Sequence, residues 1–316
     1  MIIIRQIGTF EELERICPKI SGLFQSISYQ KVFVNHFVSK DDLYILGIFD
    51  DSNCIGYGFF ERQGETILFS GMKKVLGNQE VSDYGDIMID SKFIGNIQEI
   101  WNKLMLWFKN INIYNFQLDY IREDSPTYGL FRDNATELEL APYINLPQTW
   151  DLFLETLERK DRKELKRKIK RLDTVKHEYF ISDMNNKNLF EEFIKLHRLS
   201  NVNKEQFMTD EMKQFFLDLS MLKDNYWKPI INFLSIEGIN VASALTFENE
   251  NVVFAYNSGH DPSCNFYSAG LLLHAFIIKR SIDEKKEKYD FLRGKERYKF
   301  DLGGKPMKLF RINIRL

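Results

Sequence analysis

The segment "YDFLRGKERYKFDLGGK", residues 289–305, sets Arg293, Lys295, Arg297 and Lys299 around Tyr298, directly after an apolar, strand-like tripeptide. Cations in such a loop can hold phosphates or stabilise negative charge as it develops, and Tyr298 can donate a proton. Alternating charges after a glycine also read as a solvated hairpin. Upstream, "YNSGHDPSCNFYSAGLLLHAF" ends a strand, passes through a loop rich in Gly, Asp, Pro and Ser, and starts a helix near Ser268. The unbonded N–H groups and positive dipole end of a helix start form a cradle for phosphate. Gly270 would let a ligand approach the backbone closely. A Ser268 that merely caps the helix accounts for the same residues. The strand "YDFLRG" follows that helix, and if the two strands lie side by side their C-terminal ends diverge around the helix start, where ligands of α/β sheets gather.

Two further groups compete for attention. In "RKDRKELKRKIKRLDTVK", Leu165, Ile169 and Leu172 form a narrow apolar stripe on an otherwise basic helix. The helix suits either a phosphate-rich partner or a solvated face docked by its stripe. In "EVSDYGDIMID", Asp83 and Asp86 stand three apart around Tyr-Gly; they could anchor an amine or act as a base, or be turn residues. The five histidines, His36, His177, His197, His260 and His274, show no metal-ligand spacing. "GYG" at 56–58 opens no helix and "GGKP" lacks the spacing of a P-loop, so neither a dehydrogenase nor a kinase is indicated.

These residues need elements to position them. The hairpin "LYILGIFDDSNCIGYGFFER", the strand "ETILFSG", a helix over 93–109 and the strand "NFQLDYI" order the first half, after a helical stretch over 10–27. The two prolines of "APYINLPQTW" mark a junction, which gives domains of 1–145 and 146–316. The second half reads as the basic helix, helices near 186–201 and 209–223, three strands from "PIINFLSIEG" to "VVFAYNSG", the helix "AGLLLHAFIIKRSID" and the strand "KYDFLRG". Each half thus offers antiparallel strands, a helix and a returning strand, an α/β (equally α+β) architecture of mixed sheets flanked by helices.

Bulk properties set bounds. A length of 316 residues suits two domains, and 44% apolar residues with 27 Phe argue for a folded chain. A net charge of −2 gives no global attraction to DNA or to an anionic membrane, so a basic site must be local. Cys17, Cys54 and Cys264 fit neither a disulfide framework nor a zinc ribbon, and no stretch reaches the length of a membrane span or signal-peptide core. A cytoplasmic protein without metal is expected.

"YSAGLLLHAFIIKRSID…KYDFLRGKERYKFDLGG" resembles the C-terminal signature of the GNAT-fold acyltransferases of the CelD/BcsL group, associated with cellulose biosynthesis. "SISYQKVFVNHF", "VSDYGDI" and "RKELKRKIKRL" look like landmarks of the same group in the same order. That group is similar to the Fem ligases, which add amino acids from aminoacyl-tRNA to peptidoglycan precursors and carry two GNAT-like domains. "YKFDLGG" looks like their Phe-Lys-x-x-Phe-Gly-Gly, with Lys299 at the lysine and Tyr298 and Leu302 in place of the aromatic pair.

The resemblance implies tandem GNAT-like domains and transfer of an acyl group from acyl-coenzyme A or acetyl-coenzyme A to a small-molecule amine, such as a nucleotide-linked sugar or an envelope precursor. It implies Lys299, with Arg293, at the oxyanion, Tyr298 as proton donor, and Ser268, Ala269 and Gly270 at the donor pyrophosphate. Tyr256, Asn257 and Ser258 would lie where strands splay around the pantetheine arm, and Asp83 or Asp86 would face the acceptor. A Fem-like tRNA-dependent transferase, using the basic helix for tRNA, and a non-catalytic binding protein on the same scaffold are the alternatives.

Overall fold

A computed structural model describes every residue except 18–21, 183–185, 223 and 225. In chain order the first part runs β1 (Ile2–Gln6), α1 (Phe10–Ile16), α2 (Ile27–Phe37), β2 (Leu43–Asp50), β3 (Asn53–Gln63), β4 (Thr66–Phe69), β5 (Met88–Ile89), α3 (Ile97–Asn110), β6 (Asn115–Arg122), α4 (Pro126–Phe131) and β7 (Ala135–Leu140). There follow β8 (Tyr143–Asn145), α5 (Trp150–Thr156), α6 (Arg159–Leu172), β9 (His177–Ser182), α7 (Lys187–Leu199), α8 (Val202–Phe207) and α9 (Asp210–Ser220). The rest is β10 (Lys228–Ile236), β11 (Ile239–Glu248), β12 (Val252–His260), α10 (Ala269–Asp283), β13 (Lys288–Asp290), α11 (Arg297–Asp301) and β14 (Lys308–Arg315). The helix expected over 10–27 is instead α1 and the start of α2, with 18–21 outside the described residues. The helix expected over 209–223 is α9, its last position also outside them.

The chain divides into two compact units, Met1–Leu140 with Met307–Leu316, and Ala141–Pro306. This differs from the expected 1–145 and 146–316 at both edges. β14 pairs on both sides, with β6 and with β7, and so belongs to the first sheet. β8, inside the supposed linker, pairs with β13 and belongs to the second.

The first sheet has the order β1-β2-β3-β4-β6-β14-β7, with β5 on β3, and the second β8-β13-β12-β11-β10-β9. Both are mixed. In the first, β4 and β6 are parallel across α3; in the second, β12 and β13 are parallel across α10. Turn chemistry sets the hairpins. Between β10 and β11, Glu237 (φ 50°) and Gly238 (φ 78°) supply the paired left-handed conformations that match strand twist.

Helix periodicity fills the cores. Ile100, Trp101, Leu104 and Phe108 of α3 are fully buried against the first sheet, and Leu272, Leu273, Ile277 and Ile278 of α10 against the second. Each such side chain contributes roughly 1.5–3 kcal/mol. α6 docks by Leu165 and Leu172 and leaves its basic side outward, as an amphipathic helix should.

Cys17 and Cys54 correct the sequence expectation: they form a disulfide, Cα–Cα 5.1 Å, across a separation of 37 residues. α1 and the start of β3 bring the two together, a proximity that spacing alone does not encode. Cys264 stays free.

Candidate active site

In the second unit the parallel pairing of β12 with β13 ends at Phe254–Asp290, while β12 runs on to His260 with β11 as its one strand partner among the described residues. The two strands therefore part beyond Phe254. Tyr256 is an extra residue there, since Leu245 pairs with Asn257 and Thr246 with Ala255. Such a bulge re-aims the strand. The Tyr256 ring turns onto Phe216 at 5.5 Å and Phe247 at 5.4 Å, so it packs against apolar partners. Asn257 Oδ1 accepts from the Ser258 N–H at 2.9 Å, and the Ser258 carbonyl accepts from Lys204 Nζ.

α10 begins close to that strand end. Ser268 takes a left-handed backbone (φ 57°) and its side chain does not cap the helix; its Oγ accepts from Lys168 Nζ of α6 at 2.9 Å. Arg171, one turn further along α6, donates to the Phe266 carbonyl at 2.5 Å and covers the Phe266 ring at 4.6 Å. The basic helix and the helix start, separate candidates in the sequence, thus meet. Ala269 is buried. A Cβ at Gly270 would sit 3.2 Å from Nδ1 of His260, so glycine keeps α10 tight on the end of β12.

The 289–305 segment is not a hairpin. Leu292 (φ 59°) and Gly294 (φ 118°) turn the chain into the short helix α11. Lys299, only 3% exposed, donates to the carbonyls of Leu292 (3.2 Å) and Arg293 (2.5 Å) and pairs with Glu296 at 3.0 Å. An ammonium has three protons, and each has an acceptor here. Tyr298 stacks on His274 with ring centroids 5.0 Å apart. Burial and the nearby Glu296 carboxylate push its hydroxyl well above the usual tyrosine range. Arg293 is half-buried, whereas Lys295 and Arg297 are exposed.

Residues that no local pattern marked complete this region. Lys204 of α8 is half-buried on the Ser258 carbonyl; burial pushes its ammonium down to about 8, with Glu296 pulling up and Lys299 pushing down. Lys204, Glu296 and Lys299 therefore share one electrostatic neighbourhood. His274 is held to about 3 by burial, then by Lys299 and Lys204, so it is neutral and bonds Tyr289 through Nδ1 at 2.8 Å. His260 is lowered by burial and by Lys204. The only available sequence signal was the number of Lys and His near these segments, which does not say which side chains turn inward.

Asp83 and Asp86 lie in the first unit, and all the other candidates in the second. Asp86 accepts from the hydroxyls of Ser125 and Thr127, the latter at 2.6 Å, and from the Ile87 N–H at 2.8 Å. Burial raises it to about 6 against these bonds. Thr127 in turn accepts from Trp101 at 3.1 Å, which ties the carboxylate to the core. Asp83 is half-buried beside it in sequence. Among the described residues no cluster of His, Cys, Asp and Glu has metal-holding geometry, and no helix is long and apolar enough to cross a membrane.

Residues 159–300 match the family model of the acetyltransferase (GNAT) domain. The matched stretch runs from α6 through α11, the elements that carry the strand splay, the α10 start and Lys299. No curated protein sequence matches the chain. Among solved structures, FemX is similar at 10% identity and a TM-score of 0.64, covering 97% of this chain and 96% of that one. L-PGS from Bacillus licheniformis is similar at 11% and 0.59, with 94% of each chain covered. A tandem GNAT protein from the clavulanic acid biosynthesis pathway is similar at 8% and 0.52, covering 100% of this chain and 98% of that one. At these identities the likeness is one of fold: two GNAT-like units in tandem.

Proposed function

We propose that the chain is an N-acyltransferase that moves an acyl group from acyl-coenzyme A to an amine, carried by a nucleotide-linked sugar or a cell-envelope precursor. One observation carries the reading: in the stretch that matches the GNAT domain, β12 and β13 part beside the α10 start, where Lys168 rests on Ser268 and Lys204, Glu296 and Lys299 gather. In this proposal the N–H groups of Ala269 and Gly270, with Lys168, take the donor pyrophosphate. The stretch of β12 over Asn257 and Ser258, past its pairing with β13, lies along the pantetheine arm. Lys299 holds the loop 292–296, Arg293 included, in place beside them. Tyr298, with its proton held tightly, serves as a hydrogen-bond donor. Asp86 is held by the hydroxyls of Ser125 and Thr127 within the first unit. The grouping with the CelD/BcsL proteins and a cytoplasmic location belong to the same proposal.

Calorimetry with acetyl-coenzyme A tests it. Binding is expected to weaken about tenfold in Lys168→Met and to raise the melting temperature of the wild type, because a ligand selective for the native state stabilises it. Absence of any melting shift across acyl-coenzyme A species would overturn the reading. A second reading, a Fem-type aminoacyl-tRNA donor, is favoured by the exposed cations of α6, among them Lys166 and Arg167 beside Lys168. Tight binding of tRNA that falls steeply with salt, and falls again on reversing the charge of Lys166 and Arg167, would establish that reading instead.

A further inference from the structure

The cations at the strand splay differ in what they have left to offer. Lys299 has an acceptor for each of its protons. Lys204 does not: among the described residues its ammonium has a single acceptor, the Ser258 carbonyl, on the part of β12 that has left β13. Two N–H donors remain on a half-buried ammonium beside the stretch of β12 past its last pairing with β13. Nothing about α8 requires a lysine there. The helix is already capped by Asn201, whose side chain accepts from the Lys204 N–H at 3.0 Å, and a neutral residue would avoid the cost of burying charge.

We propose that Lys204, rather than Lys299, is the cation that binds the carbonyl oxygen of the acyl group in transit and holds the charge this oxygen gains. The inference rests on the acyltransfer reading above. The amine nitrogen attacks the thioester carbon, a C–N bond forms, and the π electrons move to the oxygen, which Lys204 receives as an oxyanion. Collapse restores C=O and breaks the C–S bond, with the electron pair leaving on sulfur. The proton shed by the amine ends on that sulfur, so Lys204 emerges unchanged.

The electrostatics agree. An ammonium titrating at about 8 is charged at neutral pH and is close to a thiol in acidity, so it can also lend its proton to the departing sulfur and recover one from the amine. The groups that act on Lys204 or feel it are Glu296, Lys299, His197, His260 and His274. His197 and His274 titrate at about 3 and His260 is lowered, so none of these three accounts for a limb near pH 8.

The test uses the full chain, acetyl-coenzyme A as donor and hydroxylamine as a surrogate amine. Lys204→Met should bind coenzyme A within about twofold of wild type while kcat falls about 100- to 1,000-fold. The wild-type rate should decline above about pH 8, and Lys204→Arg should keep most of the rate while moving that decline to higher pH, since a guanidinium stays charged. The arginine variant also guards against a methionine variant that fails to fold. A wild-type enzyme that turns over, matched by Lys204→Met with the same alkaline limb, overturns the role of Lys204 alone. A wild type that neither binds nor consumes acetyl-coenzyme A overturns the acyltransfer reading and this inference together.

Discussion

The two units build the same motif, a parallel strand pair across a helix, and finish it in opposite ways. In the first, β4 and β6 pair through Ile67–Phe116, and beyond that point the chain supplies its own filling. Residues 81–87 run along β6: the Gly85 N–H donates to the Tyr120 carbonyl at 3.2 Å, and Tyr29 fixes the Val81 carbonyl at 2.7 Å. Phe69 stacks on Phe60 and meets Trp101 edge-on beneath them. In the second unit the corresponding place is met by Lys204, Lys299, His260 and His274. One motif therefore meets a tight loop with a single hydrogen-bonded carboxylate, Asp86, in the first unit and a cluster of lysines and histidines in the second.

Four experiments bear on that contrast. The largest effect is expected at Arg280, whose guanidinium meets buried Glu248 at 3.0 Å and the Tyr179 hydroxyl at 2.9 Å beneath the second sheet. Arg280→Met should cost about 3–5 kcal/mol in urea unfolding by leaving that carboxylate unpaired, and adding Glu248→Gln should restore part of it. If the single variant unfolds like wild type, the second unit does not depend on buried charge as described.

Next comes Gly85→Ala. The added Cβ would lie 2.5 Å from the Asp119 carbonyl, an overlap that forces the loop away from β6 and should cost about 1–3 kcal/mol. Turnover at saturating substrate should not change; a lost kcat in a still-folded variant would mean that the first unit takes part in chemistry.

Acid should act on the units with opposite sign. His197 and His274 titrate at about 3 when folded, below the ordinary 6.5, so their contribution is complete above pH 6.5 and is lost as pH falls towards 3. Asp86 is raised from 3.8 to about 6, so its contribution is complete below 3.8 and is lost as pH rises through 6. Between pH 7 and 5 each histidine should remove roughly 1–2 kcal/mol and Asp86 return about 1. Amide exchange, corrected for its intrinsic pH dependence, should show α10 losing protection before α3. The reverse order would contradict the assigned protonation states.

The smallest effect is expected at Glu296→Gln. Its pair with Lys299 is exposed on the carboxylate side and should be worth less than about 1 kcal/mol. Because Glu296 pulls Lys204 up, its removal should draw the alkaline limb of the rate to lower pH.

Elements whose signal is local were legible. The hairpin over 43–63 announces itself by turn residues between apolar runs, the strands from 228 to 260 by their apolar runs, and α10 by its long apolar stretch. β8 and β14 were not. β8 is three residues long beside a proline, and each strand exists only because a partner remote in sequence bonds to it. The site divides in the same way. The 289–305 segment and the α10 start stood out by composition, but nothing in "NVNKEQF" marked it, and only the packing of α8 against α7, which itself lies on β12, turns Lys204 inward. Lys299 was singled out from the same pattern whose carbonyls and carboxylate then prove to occupy its ammonium.

The placement of β14 bears on how the protein is made. This strand lies between β6 and β7 in the first sheet, yet a ribosome must release the whole of Ala141–Pro306 before it appears. β7, whose one strand partner among the described residues is β14, waits for it without a neighbour. The unit translated first is therefore closed by a strand made after the second, and a chain cut before residue 308 would leave β7 with no strand to pair with.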